Sequence, residues 1–231
     1  MADDAAAAAA APQKPVLYSY WRSTSPWRVR IALALKGIDY EYRAVHLLRD
    51  GGEQHKPDYA ALNPQQLVPT LLIDGLELTQ SIAIIEYLDE TRPDVSPLLP
   101  KDAASRARVR QIVQIIASDT QPVQNLRVLQ KVGDEKKMEW AKYWITMGLD
   151  ALEQTLGHTA GKYCVGDSVT MADVVVAPQI YGARRYGVDL SRYPITMRVV
   201  EALNEIEAFA SAAPERSEEH TSELQSRLHL V

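Results

Sequence analysis

Three short segments of this chain gather residues able to stabilise or hold an anion. The first is Arg22, Ser23, Thr24, Ser25, Pro26. Three consecutive hydroxyls ahead of a helix can each donate a hydrogen bond to an anion such as a thiolate without competing for its proton, and a helix start gathers positive partial charge. The same residues also read as a plain cap, with one hydroxyl on a free amide and Pro26 at the first helical position. The second segment is Val68, Pro69, Thr70. A proline opening a strand removes a ladder donor and marks an edge or a cis bond. A cis Val68–Pro69 bond would turn the Val68 amide and carbonyl outward, free to pair with an extended peptide; the commoner trans bond would not. The third is Gln80 and Ser81 ahead of an apolar-periodic run, where the serine hydroxyl and free amides either grip a carboxylate or simply cap a helix.

The flanking sequence supplies the elements that would position these segments. Val16 to Tyr20 reads as a strand. Trp27 to Lys36 reads as a helix of about three turns, with Val29, Ile31, Ala32, Leu33 and Leu35 on one side, Arg28 and Arg30 pointing elsewhere, and Gly37 as the stop. Tyr40 to His46 alternates as a second strand. Leu47 to Pro64 is an irregular connection with room for one short helical turn. Val68 to Ile73 and Leu76 to Leu78 flank Asp74-Gly75, which suits a two-residue hairpin, and Ser81 to Glu90 has helical period. A βαβ unit followed by ββα is the order of a thioredoxin fold. Residues 92–103, with Pro93, Pro97 and Pro100, read as a linker. Beyond it Ala104 to Gln130, Asp134 to Leu156, Thr170 to Tyr186 and Pro194 to Ala208 read as helices, and Thr170 with Asp173 has capping-box spacing. The expected fold is an α/β thioredoxin-like domain over 14–92 plus an all-α domain over 104–210.

Composition narrows the possible functions. A net charge of −5 offers no cationic field for nucleic acid. The single cysteine, Cys164, excludes an intramolecular disulfide and a CxxC pair, and between Tyr163 and Val165 it reads as a small buried hydrophobe. The five histidines show no ligand spacing, so no metal is assigned. No run is long and apolar enough for a membrane span. Ala5 to Ala11 follows Asp3 and Asp4, not a basic n-region, so a disordered leader over 1–13 is expected in place of a signal or transit peptide. A cytoplasmic setting fits these features. The tail over 215–231 is polar and breaks the helical pattern, and is expected to be disordered and of non-native origin.

Taken together, the runs YSYWRSTSPWRVRIALALKGIDYEYRAV, ALNPQQLVPTLLIDG, LTQSIAIIEYLDETRP, QPVQNLRVL, ALEQTL and GDSVTMADVVVAPQ resemble the zeta class of glutathione transferases, the maleylacetoacetate isomerases, from about Lys14 to Ala208. The resemblance implies glutathione as cofactor, a small acidic or electrophilic substrate, a homodimer, and cis–trans isomerisation of maleylacetoacetate. It places Ser23 on the glutathione sulfur, the Val68 backbone on the cysteinyl unit, Gln80 and Ser81 on the γ-glutamyl group and Gln54 at the glycyl end. It puts Gln121, Asn125, Leu126 and Arg127 around the ligand, some of them reaching from the second subunit. It matches Arg185 to an arginine that orients the acidic substrate; an acidic substrate in a net-negative protein needs cations in the pocket, and Arg28 and Arg184 are weaker candidates on that ground. The family loop reads Ser, Ser, Cys; here it is Ser23, Thr24, Ser25, so any thiol chemistry from that cysteine is lost while glutathione remains the nucleophile. A general glutathione transferase or haloacid dehalogenase of the same fold, and a non-catalytic interaction module, are the alternatives.

Overall fold

Strand β1 (Val16–Ser19) runs parallel to β2 (Glu41–Ala44), from Val16 opposite Glu41 to Ser19 opposite Ala44. The parallel pairing requires a crossover, and helix α1 (Thr24–Leu35) provides it. On the other side of β1 lies β3 (Thr70–Ile73), antiparallel, with Leu17 opposite Leu71, and β4 (Leu76–Thr79) returns beside β3. Asp74 and Gly75, at φ 53° and 77°, form the left-handed two-residue turn anticipated from their types. The strand order is β2-β1-β3-β4, and α3 (Ser81–Thr91) follows. This is the thioredoxin-like arrangement. The structure, a computed structural model, describes residues 14–216; the expected leader and all of the expected tail after Arg216 lie outside the described residues.

The remaining elements are helical: α4 (Ala103–Gln114), α5 (Leu126–Val132), α6 (Lys137–Thr159), α7 (Met171–Arg185), α8 (Pro194–Asn204) and α9 (Glu207–Ser211). Leu17, Leu33, Leu71 and Ile84 from the sheet half share one buried cluster with Ile112, Leu149, Val175 and Leu203 from the helical half. Each such side chain stabilises the fold by about 1.5–3 kcal/mol when fully buried. α7 lies against α1, where Tyr181 meets Trp27 edge-on at 5.7 Å. Segment 92–102 has no regular structure, as the prolines imply, but it is clamped. The Asp89 carboxylate accepts from the amides of Leu98 and Leu99 at 2.8 and 3.2 Å, and Lys36 Nζ binds Asp89 at 2.7 Å together with the carbonyls of Arg92 and Val95. Among the described residues no helix is long and apolar enough to cross a membrane, and no cluster of potential metal ligands occurs.

Several boundaries depart from the sequence reading. α1 begins at Thr24, not Trp27, which puts Pro26 third in the helix. Proline is tolerated there because amides of the first turn have no intrahelical acceptor. Between Leu47 and Pro64 the chain is more helical than expected, with 3₁₀ turns at Arg49–Gly51 and Glu53–His55 and α2 at Pro57–Leu62. The single helix expected over Ala104 to Gln130 is broken. After α4 comes a π-turn (Ile115–Thr120), then a 3₁₀ turn (Pro122–Gln124), then α5. Pro122 has no amide to continue the ladder, the Gln121 amide reaches back to the Ile116 carbonyl at 2.8 Å, and Asn125 restarts the helix by accepting from the Arg127 amide at 3.2 Å. The helix expected over Pro194 to Ala208 is likewise two helices, α8 and α9. Glu215 and Arg216, expected in the disordered tail, sit in a 3₁₀ turn with Pro214.

Candidate functional site

At the start of α1, Ser23 holds the N-cap backbone position, φ −79° and ψ 127°, yet its side chain makes no cap hydrogen bond. The hydroxyl is therefore not spent on the helix, which decides between the two readings of this loop as far as the cap is concerned. The turn is held instead by backbone, with the Ser23 amide donating to the Tyr20 carbonyl at 3.0 Å and the Ser23 carbonyl accepting from the Trp27 amide at 3.2 Å. Thr24 and Ser25 occupy the first helical turn. α3 begins in the same manner: Gln80 is the N-cap, at φ 68°, without a side-chain cap bond. Its Nε2 donates to Gln65 Oε1 at 2.5 Å. Ser81, buried at the first helical position, accepts from Arg28 Nη1 at 3.3 Å. The Val68–Pro69 peptide is cis, and Val68 lies outside the strand ladder, its amide and carbonyl in no backbone hydrogen bond among the described residues.

Two cavities meet at these helix starts. The larger, about 460 Å³, is lined by Ser23, Thr24 and Gln54 from the first half of the chain and by Leu126, Arg127 and Arg185 from the second. The smaller, about 90 Å³, is lined by Ser25, Arg28, Gln80 and Ser81. Val68, Gln121 and Asn125 border both. All the residues singled out for site roles therefore line one cavity or both, apart from Arg184, which is exposed at the end of α7 and lines neither. Ser25 opens only on the smaller cavity, whereas Ser23 and Thr24 open on the larger.

The electrostatics of the smaller cavity centre on Arg28. Instead of pointing away from the core, Arg28 and Arg30 are 1% and 3% exposed, because α1 is packed on one side by α3 and on others by α7 and α9. Arg28, expected as a weaker cation for an acidic substrate, lies beside Ser81 in the smaller cavity. Its Nε and Nη2 are buried and have no hydrogen-bond partner. Burial pulls its pKa down to about 10, which still leaves the guanidinium charged at neutral pH. A buried charge without a counter-ion is costly, so this corner is built for an anion of carboxylate size. In the larger cavity Gln54 Oε1 is likewise buried without a partner, while its Nε2 lies 3.1 Å from His55 Nε2. Arg22, given no role from sequence, lines this cavity with a buried, unpartnered Nε and its guanidinium over the Trp21 ring at 5.2 Å. Together with Arg127 and Arg185 it makes three cations around one cavity. Its place directly before the three hydroxyls was the signal available in the sequence. Cys164 is fully buried, and burial with the neighbouring Asp173 pushes its thiol pKa well up.

The fold is shared with known proteins. Residues 15–90 match the N-terminal domain family of glutathione S-transferases and residues 145–211 their C-terminal domain family. The chain is 54% identical to the maleylacetoacetate isomerase of Rattus norvegicus over 213 residues, 92% of this chain and 98% of that one. It is also similar to a crystal structure of maleylacetoacetate isomerase from Anaeromyxobacter dehalogenans with bound GSH in the active site, at TM-score 0.81 and 45% identity, covering 90% of this chain and 98% of that one. A bacterial maleyl pyruvate isomerase of the zeta class, in its holo form, superposes with TM-score 0.84 at 43% identity, covering 88% of this chain and 99% of that one.

Proposed function

We propose the reaction of this protein from one premise: the chain belongs to the glutathione S-transferase family, in its zeta class. The reaction is glutathione-dependent cis–trans isomerisation of maleylacetoacetate to fumarylacetoacetate, a step in the breakdown of phenylalanine and tyrosine. The observation that carries this reading is the juxtaposition of Ser23, whose hydroxyl makes no cap bond, with Arg28, whose buried donors stand open beside Ser81. One group suits a sulfur anion and the other a carboxylate, and they border adjoining cavities.

The residues present fit glutathione. Ser81 and Arg28 hold the γ-glutamyl carboxylate, with Gln80 beside them; the Val68 backbone takes the cysteinyl unit; Gln54 takes the glycyl end. Gln121, Asn125 and Leu126 close the site from the helical half. When bound, glutathione supplies a thiolate that adds reversibly to the cis double bond and so leaves a single bond able to turn. The task of Ser23 is to favour that thiolate. A free thiol of pKa near 8.5 is only a few per cent ionised at pH 7, and a lowering by about 2 units needs roughly 2.7 kcal/mol. One hydroxyl bond to an anion, about 1.5–3 kcal/mol, with about 0.3–1 kcal/mol from the start of α1, reaches that order, so no general base is required. Arg185, Arg127 and Arg22 supply the positive charge that a substrate with carboxylates needs in a protein of net charge −5, and an arginine can grip a carboxylate through two parallel bonds.

Ser25 stands where the family loop has cysteine, and it opens on the smaller cavity. The missing thiol is therefore away from the substrate side, which supports retention of the reaction. A homodimeric assembly, a cytoplasmic setting and a division into domains at 14–92 and 104–210 belong to the same proposal, on the strength of the family. The deciding assay follows maleylacetoacetate with and without glutathione. Turnover that requires glutathione is expected. Glutathione-dependent loss of halide from a haloacid without any isomerisation would replace this reading by that of a dehalogenase.

A further inference from the structure

Arg30 lies in the middle of α1, and all three of its guanidinium nitrogens are engaged. Nη1 donates to Ser19 Oγ at 3.0 Å, Nη2 to the Trp21 carbonyl at 3.1 Å and Nε to the Ala212 carbonyl at 3.2 Å. The three acceptors come from the end of β1, from the turn that leads into Ser23, and from the C-cap of α9, 182 residues away in sequence. α9 packs on α1, anchored by the buried Phe209. The guanidinium is a rigid planar fork, so a shift of any one acceptor is passed to the others. Trp21 is two residues from Ser23, and a hydroxyl-to-anion bond weakens steeply once its distance and angle are lost.

We propose that Arg30 is a positioning residue through which helix α9 holds the Ser23 loop in the geometry that stabilises the glutathione thiolate. The inference rests on the role given to Ser23 above. Arg30 lines neither cavity, so it acts on the sulfur only through the loop. The packing around it explains why a cation is buried in α1 at this point: three carbonyl or hydroxyl oxygens, one from the end of β1, one from the turn between β1 and α1 and one from the C-cap of α9, converge on one group with five donors.

The test is the pH titration of the thiol of bound glutathione, read by ultraviolet thiolate absorbance on the full-length protein, for the parent, Arg30→Met, Arg30→Lys and Phe209→Leu. The charged or titratable groups bordering the two cavities, Tyr20, Arg22, Arg28, His55, Arg127, Tyr181, Arg185 and Tyr186, are kept in all four. Arg30→Met is expected to move the thiol titration up toward its free value near 8.5 and to lower kcat about 10- to 100-fold, while glutathione Kd changes little because Arg28 and Ser81 are untouched. Arg30→Lys should recover part of the shift, and Phe209→Leu, which loosens α9 without touching the loop, should shift it in the same direction by less. An Arg30→Met protein that binds glutathione and titrates at the parent's pH overturns the proposal. If Arg30→Met does not fold, unchanged titrations in both Arg30→Lys and Phe209→Leu overturn it equally. A parent that binds glutathione without lowering its thiol pKa overturns the role of Ser23, and this inference with it.

Discussion

The start of α7 closes on itself. Thr170 donates its amide and its hydroxyl to Asp173 Oδ2, at 2.8 and 3.0 Å, and the Cys164 amide donates to Asp173 Oδ1 at 2.8 Å, completing the capping box in a place where Asp173 is wholly buried. The starts of α1 and α3 are also bordered by hydroxyl residues, but Ser23 and Gln80 make no cap bond, and the cation between the two helices leaves two nitrogens open. The same residue chemistry thus serves two ends. Where the chain satisfies its own donors it builds structure; where it leaves them open at a cavity, it holds a ligand.

Changes at the closed start should register in stability, and changes at the open starts in binding or rate. The largest effect is expected for Asp173→Ala, which strands two buried amides and a hydroxyl and should lower unfolding stability by about 3 kcal/mol, measured by denaturant titration; the surviving folded protein should bind glutathione normally. Burial raises the Asp173 pKa above the usual carboxylate range, so ionising it costs more in the fold than in the unfolded chain, which makes its bonded partners the more necessary at neutral pH. Next comes Ser23→Ala. Loss of the one donor aimed at the sulfur should reduce glutathione-dependent isomerisation about 100-fold and leave the melting temperature where it was, since no cap bond is lost. A fall in stability with rate intact would show that the loop hydroxyl serves the helix after all. Ser25→Ala is expected to have the smallest effect, within about threefold in kcat on the scale of a neighbour that does not touch the reacting atoms, and Ser25→Cys should not switch on an inactive parent. Steady-state kinetics on both variants checks this.

Much of this contrast was legible in the residues. The hydroxyl triplet, the Gln80-Ser81 pair and the Thr170/Asp173 spacing are local signals, and local rules placed all three at helix starts. The arginines of α1 were not legible. Periodicity assigns charged residues to the solvent side, and nothing near Arg28 or Arg30 in sequence shows that Ser81 or Ala212 will come to lie against them. The break between α4 and α5 was open to reading, because Pro122 cannot donate within a helix, but the apolar pattern on either side concealed it. With it went the bottom-up view of Gln121, Asn125 and Arg127, whose place at the cavities depends on that break; only family resemblance pointed to them.

The most direct test of the claim that open donors at these helix starts are kept for glutathione is calorimetric titration of glutathione into the parent and Arg28→Met, with a melting curve for each. Removing a buried cation whose Nε and Nη2 lack partners should leave stability unchanged or raise it by about 1 kcal/mol or more, while the loss of a charge-assisted contact to the ligand's carboxylate should weaken binding about 10- to 100-fold. Stability and affinity are thus predicted to move apart. An Arg28→Met protein that melts earlier and binds glutathione as tightly as the parent would contradict the account, and would make Arg28 a structural cation like Arg30.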